Sequence, residues 1–437
     1  MKKNAYYYEI PRGADFTARV LSCTEAEKAP EGLSHSGKLY CVTLDLEGFY
    51  PEGGGQPCDR GWIGTEPLLS VQEQEPAAAY SRGARQETAV SETEQPPILH
   101  YLAEPLPVGE CFLCRIDWVW RDRNSQNHSG EHIISGLIHR RFGFHNVGFH
   151  MAMTLPEEVG SAIPAERPGM CIDFDGELSW EMLLEIEREA NHIVREDRVL
   201  RCFYPSEAEL SALPYRSKRA LSGSVRLVEI PGADLCACCG THVRTTGEIG
   251  MIKLLSVLRH RGGSRVALCC GDLALWDYEE TRDAASAAAQ RLSVPVSGLP
   301  EAVERQQAEL ARRELRIGAL NEKYFRLKAE RFRGSSRICD FETGLNNVEL
   351  RKYCDFLLRH SGAQLVSVFL PKMREKTGGE TEYSYVIGSS VIDLREGGKR
   401  LNSLRCGRGG GAPSMLQGTL FGTEEEIRAS VKEAFSE

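Results

Sequence analysis

The sequence predicts an α+β multidomain chain in four parts: a small N-terminal β-barrel with a glycine-rich motif (1–100), an α+β domain with a zinc site (101–271), a coiled-coil-like helical hairpin (272–334) and a C-terminal α/β domain (335–437). Three observations predict it. At 437 residues the chain has room for roughly three domains of ~150 residues. β-Branched and aromatic runs dominate its beginning and return, between helical patterns, toward its end. Between them stand long segments whose apolar residues recur at helical spacing.

The elements follow in order. Lys38–Tyr50 (KLYCVTLDLEGFY) alternates partially and is rich in strand-forming residues, and it ends in the turn-forming cluster PEGGGQP. Residues 66–97 are polar, contain proline and show no period, so an extended loop or insertion is expected there. Ser125–Phe142 reads as a helix: Asn124 or Ser125 can cap it, and Ile133, Ile134, Leu137, Ile138 and Phe142 lay an apolar stripe along one face. Leu178–Arg198 repeats the pattern with Leu183, Ile186, Ala190 and Val194. Val225–Ile230, Glu248–Leu258 and Ser264–Gly271 read as short strands.

Asp272–Leu292 is alanine-rich and helical, and Val294–Gly298 breaks it. The next helix opens at Pro300, a favoured first-turn position, and runs to Phe332. Val303, Leu310, Ile317 and Tyr324 fall seven apart, with Leu320 and Leu327 on the same seam, which is coiled-coil spacing. Such a hairpin makes a spacer or the arm of a homodimer. The remaining residues alternate short apolar runs with helical patterns, and no solenoid-type repeat is visible.

Hydrophobic residues (41%) and charged residues (26%) stand in ordinary globular proportion. No run approaches the ~18 apolar residues of a membrane helix, and two N-terminal lysines without an apolar run after them do not make a signal peptide. A net charge of −9 argues against a wholly basic nucleic-acid coat and leaves room for local basic patches. Fifteen cysteines without an export signal point to a cytoplasmic protein whose thiols are mostly buried, with a few available as metal ligands.

The strongest chemistry lies in two places. In His128-Ser129-Gly130-Glu131-His132 the two histidines are four apart, so on a helix both imidazoles reach one ion. In Cys236-Ala237-Cys238-Cys239-Gly240-Thr241-His242, Cys238 and His242 have the same spacing beside a glycine that permits a tight turn. Three histidines and one cysteine make a tetrahedral set that suits Zn²⁺. Cys236 or Cys239 are alternative sulfur donors. Each motif alone is weak in a chain with 11 histidines and 15 cysteines.

The wording of these motifs goes beyond spacing. HSGEHIISGL (His128–Leu137) and IPGADLCACCGTHVRTTGEIG (Ile230–Gly250) resemble the editing domain of alanyl-tRNA synthetase and of its free-standing relatives, the AlaX trans-editing proteins. FYPEGGGQPCDRGWI (Phe49–Ile63) is similar to the glycine-rich motif of the same family's N-terminal β domain. RCGRGGGAPSMLQG (Arg405–Gly418) looks like the closing motif of the DHHA1 domain that follows the editing domain in the long forms. The four matches stand in family order and bracket most of the chain.

The resemblance implies an aminoacyl-tRNA deacylase: a zinc-dependent ester hydrolase that acts in trans on alanine tRNA mischarged with serine or glycine. No ATP-binding aminoacylation domain fits in the chain. The alternatives are a non-catalytic tRNA-binding protein with a structural zinc, and editing of another aminoacyl-tRNA, threonine tRNA included. The family's zinc ligands carry over onto His128, His132, Cys238 and His242. Cys239 replaces a glycine of the family pattern, which leaves the choice between Cys238 and Cys239 open. Glu47 stands where many relatives have a threonine near the substrate side chain, and is a candidate for recognising the serine hydroxyl. A site that hydrogen-bonds that hydroxyl rejects alanine better than an apolar pocket does.

Zinc at such a site lowers the pKa of bound water to about 7, polarises the ester carbonyl, or orients the terminal adenosine. Glu131, between the two helical histidines, is either the general base, an outer hydrogen-bond partner or a solvated helix residue. Thr241 either bonds near the metal or stabilises its turn. Gly53, Gly54, Gly55 and Gln56 would bring backbone N–H groups close to substrate, or form a plain β turn, and Asp59 fixes that turn. Three basic clusters are candidates for phosphate contacts: Arg259, Arg261 and Arg265 with His260; Arg140 and Arg141; and Arg405 and Arg408 with Lys399 and Arg400. The family's C-terminal domain contributes to tRNA binding, which favours the last.

Overall fold

A computed structural model describes residues 6–30, 33, 35–74, 97–155, 168–217, 225–375 and 381–436, and they form two compact units, Met1–Ala285 and Ser286–Glu437. The first unit begins with seven strands: β1 (Phe16–Glu25), β2 (Tyr40–Leu44), β3 (Gly61–Ile63), β4 (Glu66–Pro67), β5 (Ser70–Glu73), β6 (Ile98–Leu102) and β7 (Cys111–Ile116). Their order is β4-β3-β7-β1-β2-β6-β5, with antiparallel neighbours throughout.

The sheet bends at β1. Residues Phe16–Arg19 pair with β7 and Val20–Glu25 with β2, with a register shift between Val20 and Ser22. Such a bulge raises local twist and lets one strand serve two directions of sheet. The inward residues Phe16, Ala18 and Val20 alternate with exposed ones and join Val42, Phe49, Ile63, Val71, Leu102 and Ile116 in a core. Among the described residues the end strands β4 and β5 do not pair with each other, so the expected barrel is here a bent, open sheet. The expected loop at 66–97 is corrected at its start, where Ser70–Glu73 pairs with β6; residues 75–96 lie outside the described residues.

The second layer is built on α1 (Trp118–Phe142). This helix starts at Trp118 rather than Ser125, because Asp117 caps it by accepting from the Trp120 N–H at 3.0 Å. Gly143, in the left-handed region at φ 74°, closes it. From Trp120 to Ile138 nearly every side chain is buried, polar ones included. Next come β8 (Asn146–Ala152), β9 (Gly169–Phe174), α2 (Trp180–Arg195), β10 (Arg201–Phe203), α3 (Glu207–Ala212), β11 (Leu227–Ile230), β12 (Asp234–Ala237), β13 (Ile252–His260) and β14 (Gly263–Cys270). Strands β13-β14-β9-β8 form one antiparallel sheet and β10-β11-β12 a smaller one. Ile133, Ile134, Leu137 and Ile138 of α1, with Leu183, Ile186 and Ala190 of α2, pack with the first sheet's Ile172, Val266 and Leu268. Burial of this kind contributes about 25 cal/mol per Å² of apolar surface.

Helix α4 (Asp272–Leu292) spans the boundary of the two units. In the second unit α5 (Leu299–Arg331) leaves its heptad seam open: Val303, Leu310, Ile317, Leu320, Tyr324 and Leu327 are all exposed. A five-stranded sheet follows, in the order β15-β16-β17-β19-β18, from β15 (Arg337–Phe341), β16 (Leu365–Glu375), β17 (Thr381–Ser389), β18 (Arg408–Ala412) and β19 (Met415–Gly422). Helices α6 (Asn347–His360), α7 (Leu394–Leu404) and α8 (Glu424–Ala434) pack on it, with Tyr353, Leu357, Leu401 and Ile427 in its cores. No helix among the described residues is long and apolar enough to cross a membrane.

Candidate metal centre

Two distant pieces of chain meet here. Helix α1 presents His128 and His132 from adjacent turns, with ring centroids 5.3 Å apart. The turn after β12 brings His242, whose ring lies 4.7 Å from that of His128 and 4.8 Å from that of His132. Cys238 Sγ sits 3.4 Å from both His128 Nε2 and His242 Nε2. One donor atom from each of the four lies within 4.8 Å of every other. The sulfur is that of Cys238; Cys239 is exposed and outside the cluster.

The packing that permits this is tight. A Cβ on Gly240 would stand 2.0 Å from His128 Cε1, so only glycine fits beneath that ring. Gly55, at φ +92°, needs the left-handed freedom of glycine and lies against Phe149, which borders His128.

Each imidazole is held by its far nitrogen. His128 Nδ1 donates to Gln56 Oε1 at 2.8 Å, His132 Nδ1 donates to Asp234 Oδ2 at 2.9 Å, and His242 Nδ1 is 3.1 Å from Ser129 Oγ. For His128 the Gln56 carbonyl places the proton on Nδ1 and leaves the lone pair on Nε2, the atom turned toward the sulfur; burial pulls His132 down, but the Cys238 sulfur and Asp234 raise it well above the ordinary imidazole value. These supports are themselves braced. Gln56 Oε1 also accepts from the Thr241 N–H (3.0 Å), and its Nε2 donates to Thr241 Oγ1 (2.9 Å), which accepts from Ser125 as well (2.8 Å). Arg216 Nε and Nη2 each donate to Asp234 at 2.7 Å.

The electrostatics agree with a ligand set. Burial opposes ionisation of the Cys238 thiol, yet the three imidazoles around it hold its pKa well below the ordinary thiol value. Burial drives His242 down to about 3, so its ring is neutral. Asp234 is held at about 2: burial works against that, and hydrogen bonds from His132 and Arg216 outweigh it. A thiolate and oriented imidazoles are the donors a tetrahedral Zn²⁺ site requires, so the residues fit that ion. A second group, His132, Asp234 and Cys236, also lies within reach of one ion, but burial pushes the Cys236 thiol up to about 11.

The cluster forms part of the wall of a cavity of about 790 Å³. Glu131, His132 and Gly53–Gly55 also line it. Glu131 is buried, with Oε1 accepting from Ser135 at 2.7 Å and from Asn146 Nδ2. Its Oε2 lies 3.7 Å from His132 Nε2, at the edge of the cluster.

Several expectations are relocated. Gln56 does not line the cavity; it holds His128 from behind. Thr241 is buried, and its hydroxyl oxygen accepts from Gln56 and Ser125. Glu47 does not line the cavity either; its backbone carbonyl accepts from the N–H of Tyr7, which does. Asp59 is more than a turn acid: it is buried and receives Arg121 Nε at 3.1 Å on both oxygens, tying the glycine-rich segment to α1. Of the arginines in the basic clusters, Arg140 pairs with Glu189 (2.7 Å), Arg141 with Glu185 (2.6 Å), Arg259 with Glu177 (2.7 Å), Arg265 with Asp173 (2.7 Å), and Arg405 with Glu426 (3.2 Å) and Ser430 (2.7 Å). Arg261 and Arg408 are exposed. Asp234, Arg216, Ser129 and Arg226 were missed, although Asp234 stands within the quoted IPGADLCACCG motif.

Residues 225–271, which carry Cys238 and His242, match the second additional domain of threonyl and alanyl tRNA synthetases. The matched segment supplies two of the four clustered donors, and α1 supplies the other two. The chain is similar to alanine–tRNA ligase of Natronomonas pharaonis (32% identical over 74% of this chain and 32% of the relative) and of Pyrococcus abyssi (26%, 95% and 41%). It is also similar to the alanyl-tRNA editing protein Aarsd1-A of Xenopus laevis (30%, 55% and 52%). The matched domain and these relatives together support an AlaX-like editing protein. The chain spans between a third and a half of the length of these curated relatives.

Proposed function

We propose that this protein hydrolyses, in trans, the ester that joins serine or glycine to mischarged alanine tRNA, with one zinc ion held by His128, His132, Cys238 and His242. One observation carries the reading: four zinc-type donors from two distant segments meet in one cluster, three of them (His128, His132 and Cys238) line a cavity with a buried carboxylate, and outer hydrogen bonds hold the two helical imidazoles. Bound zinc would supply Lewis-acid polarisation of the ester carbonyl or a more acidic water. A volume of about 790 Å³ is in the range of small-ligand pockets and suits an aminoacyl-adenosine end.

Glu131 is the general base in this reading. Ser135 and Asn146 hold its Oε1 and the residue lines the cavity, where its carboxylate would take a proton from the attacking water and return it to the ribose oxygen that leaves. The backbone of Gly53–Gly55 borders the same space without side chains to obstruct the ester. Discrimination of serine from alanine is not assigned to Glu47, which stands one residue away behind Tyr7. The exposed Arg261 and Arg408 are the candidates for tRNA phosphates, in a cytoplasmic protein.

The test is deacylation of Ser-tRNA(Ala) by the wild type beside His132→Ala, with zinc content measured for both. Zinc and activity should fall together; a zinc-depleted variant that deacylates at the wild-type rate would refute the reading. Ser-tRNA(Thr) in the same assay separates editing of threonine tRNA.

A further inference from the structure

A second cavity, of about 510 Å³, borders the metal-lined one. Tyr7 and Arg226 line both, so the two share a wall. That wall is a ladder of stacked groups. The Tyr50 ring, in the first cavity, meets Tyr7 edge-on at 5.5 Å; Tyr7 lies 4.5 Å from Tyr8; the Arg226 guanidinium lies 4.0 Å over the Tyr8 ring. The ladder is fastened to the turn that carries Cys238. Tyr8 Oη donates to the Cys239 carbonyl, and Arg226 Nη1 donates to the carbonyls of Cys238 (2.9 Å) and Gly240 (3.1 Å). His242 itself borders the second cavity.

The second cavity is aromatic and cationic. Tyr8, Trp118 and Tyr204 line it with Arg12, Arg226 and Arg244. Its acids are Glu9, Asp122 and Glu248; Asp122 pairs with Arg12 at 2.7 Å, and Glu248 accepts from the Arg244 N–H at 2.8 Å. Arg121, also in the wall, is bound to Asp59. Tyr204 is 43% exposed and Val199 63%, apolar surface left open at the cavity. Flat rings beside guanidinium groups are what unpaired bases stack on, since every base offers a π face.

The geometry points to the second cavity as the binding site for the nucleotide that precedes the esterified one in a single-stranded RNA 3′ end. The inference rests on the hydrolase reading above and deepens it. The terminal nucleoside and its amino acid occupy the metal-lined cavity, the preceding base stacks in the second, and the phosphate between them passes the shared wall at Arg226. Tyr204 and Arg244 are the contacts whose removal disturbs least else, because both are exposed and outside the metal cluster.

Two substrates test it: serine esterified to adenosine, and serine esterified to the trinucleotide CCA. The wild type should show a higher kcat/KM on the trinucleotide ester, through KM. Tyr204→Ala and Arg244→Ala should each shrink that advantage, roughly tenfold to a hundredfold for the tyrosine, the size of one lost base–aromatic stack. Binding of uncharged CCA, read by fluorescence anisotropy, should weaken in step. An advantage that survives both substitutions, or CCA affinity that neither changes, overturns the inference. So does equal slowing of both esters, which would mark a structural role. If the wild type hydrolyses neither ester yet binds CCA through Tyr204, the hydrolase reading fails and the nucleotide site stands.

Discussion

Replacing Asp234 with asparagine keeps the shape of a buried side chain and removes its charge. In the native protein this carboxylate accepts from His132 Nδ1 (2.9 Å) and from Arg216 Nε and Nη2 (2.7 Å each). Its side chain is 2% exposed and that of Arg216 13%. An amide has one acceptor oxygen and two N–H donors: with the oxygen in the place of Oδ2 it still accepts from His132 Nδ1 and Arg216 Nη2, but an N–H is turned toward Arg216 Nε and the charge is gone. Stripping a buried charge of its partner costs about 3–5 kcal/mol; the retained oxygen puts Asp234→Asn at the lower end, about 3 kcal/mol. If the oxygen takes the place of Oδ1 instead, His132 loses its acceptor; in either orientation it loses the carboxylate that raises its basicity, and loss of such a support lowers metal affinity roughly 10–100-fold. The assay is zinc competition against a chromophoric chelator at pH 7.5, beside urea unfolding of the metal-free protein. Zinc affinity within threefold of wild type in a folded variant would refute the claim that Asp234 acts on the metal through His132.

The remaining expectations are simpler to state. Glu131→Gln keeps the volume and loses the base, so kcat on Ser-tRNA(Ala) should fall roughly 10²–10⁴-fold with zinc content intact; parallel loss of zinc would make Glu131 a structural support instead. Gly240→Ala puts a methyl 2.0 Å from His128 Cε1 and should prevent stoichiometric zinc uptake, measured by metal analysis of the purified protein. His100 is fully buried, and burial lowers its pKa from 6.5 to about 4. The folded state resists the proton and the unfolded chain accepts it, so stability is complete above pH 6.5 and is lost as pH falls toward 4. Between pH 7 and 5 this amounts to about 2 kcal/mol, visible in the urea midpoint and missing in His100→Leu.

The four donors were legible because ligation admits few residue types and fixes their spacing: His128 and His132 four apart on a helix, Cys238 and His242 four apart across a glycine. Their supports were not legible, because any acceptor from any element can serve. Gln56 reaches His128 across 72 residues and Asp234 reaches His132 across 102. Gln56 follows the glycines that line the cavity, and its side chain turns inward to His128. The first turns of α1 were hidden in WVWRDRN, which has no apolar period, yet Trp120, Arg121, Arg123 and Asn124 are all buried. Periodicity reports burial only when the buried face is apolar. The short strand at Ser70–Glu73 was masked for a related reason: its four residues lack alternation, and pairing with β6 decides their conformation.

The turn from Cys238 to His242 explains why metal and RNA sites should share so few residues. Its side chains and its carbonyls have different tasks. Cys238 Sγ and His242 Nε2 face the helical histidines, while the carbonyls of Cys238, Cys239 and Gly240 accept from Arg226 and Tyr8. Thr241, between them, donates its N–H to Gln56 Oε1 and accepts from Gln56 Nε2 on its hydroxyl, and is so linked to His128. A base stacked on the tyrosine–arginine ladder is thereby registered to the metal cluster through backbone, which has two soft torsions per residue, rather than through long flexible side chains. In the proposed reading, misplacing the ester by about 1 Å would cost roughly 10²-fold in rate, and rigid registration of the adjoining nucleotide would guard against that. The same rigidity predicts where the chain tolerates no change: Gly240, where a methyl would collide with His128, and Arg226, which braces two of the three carbonyls while forming the wall between the cavities.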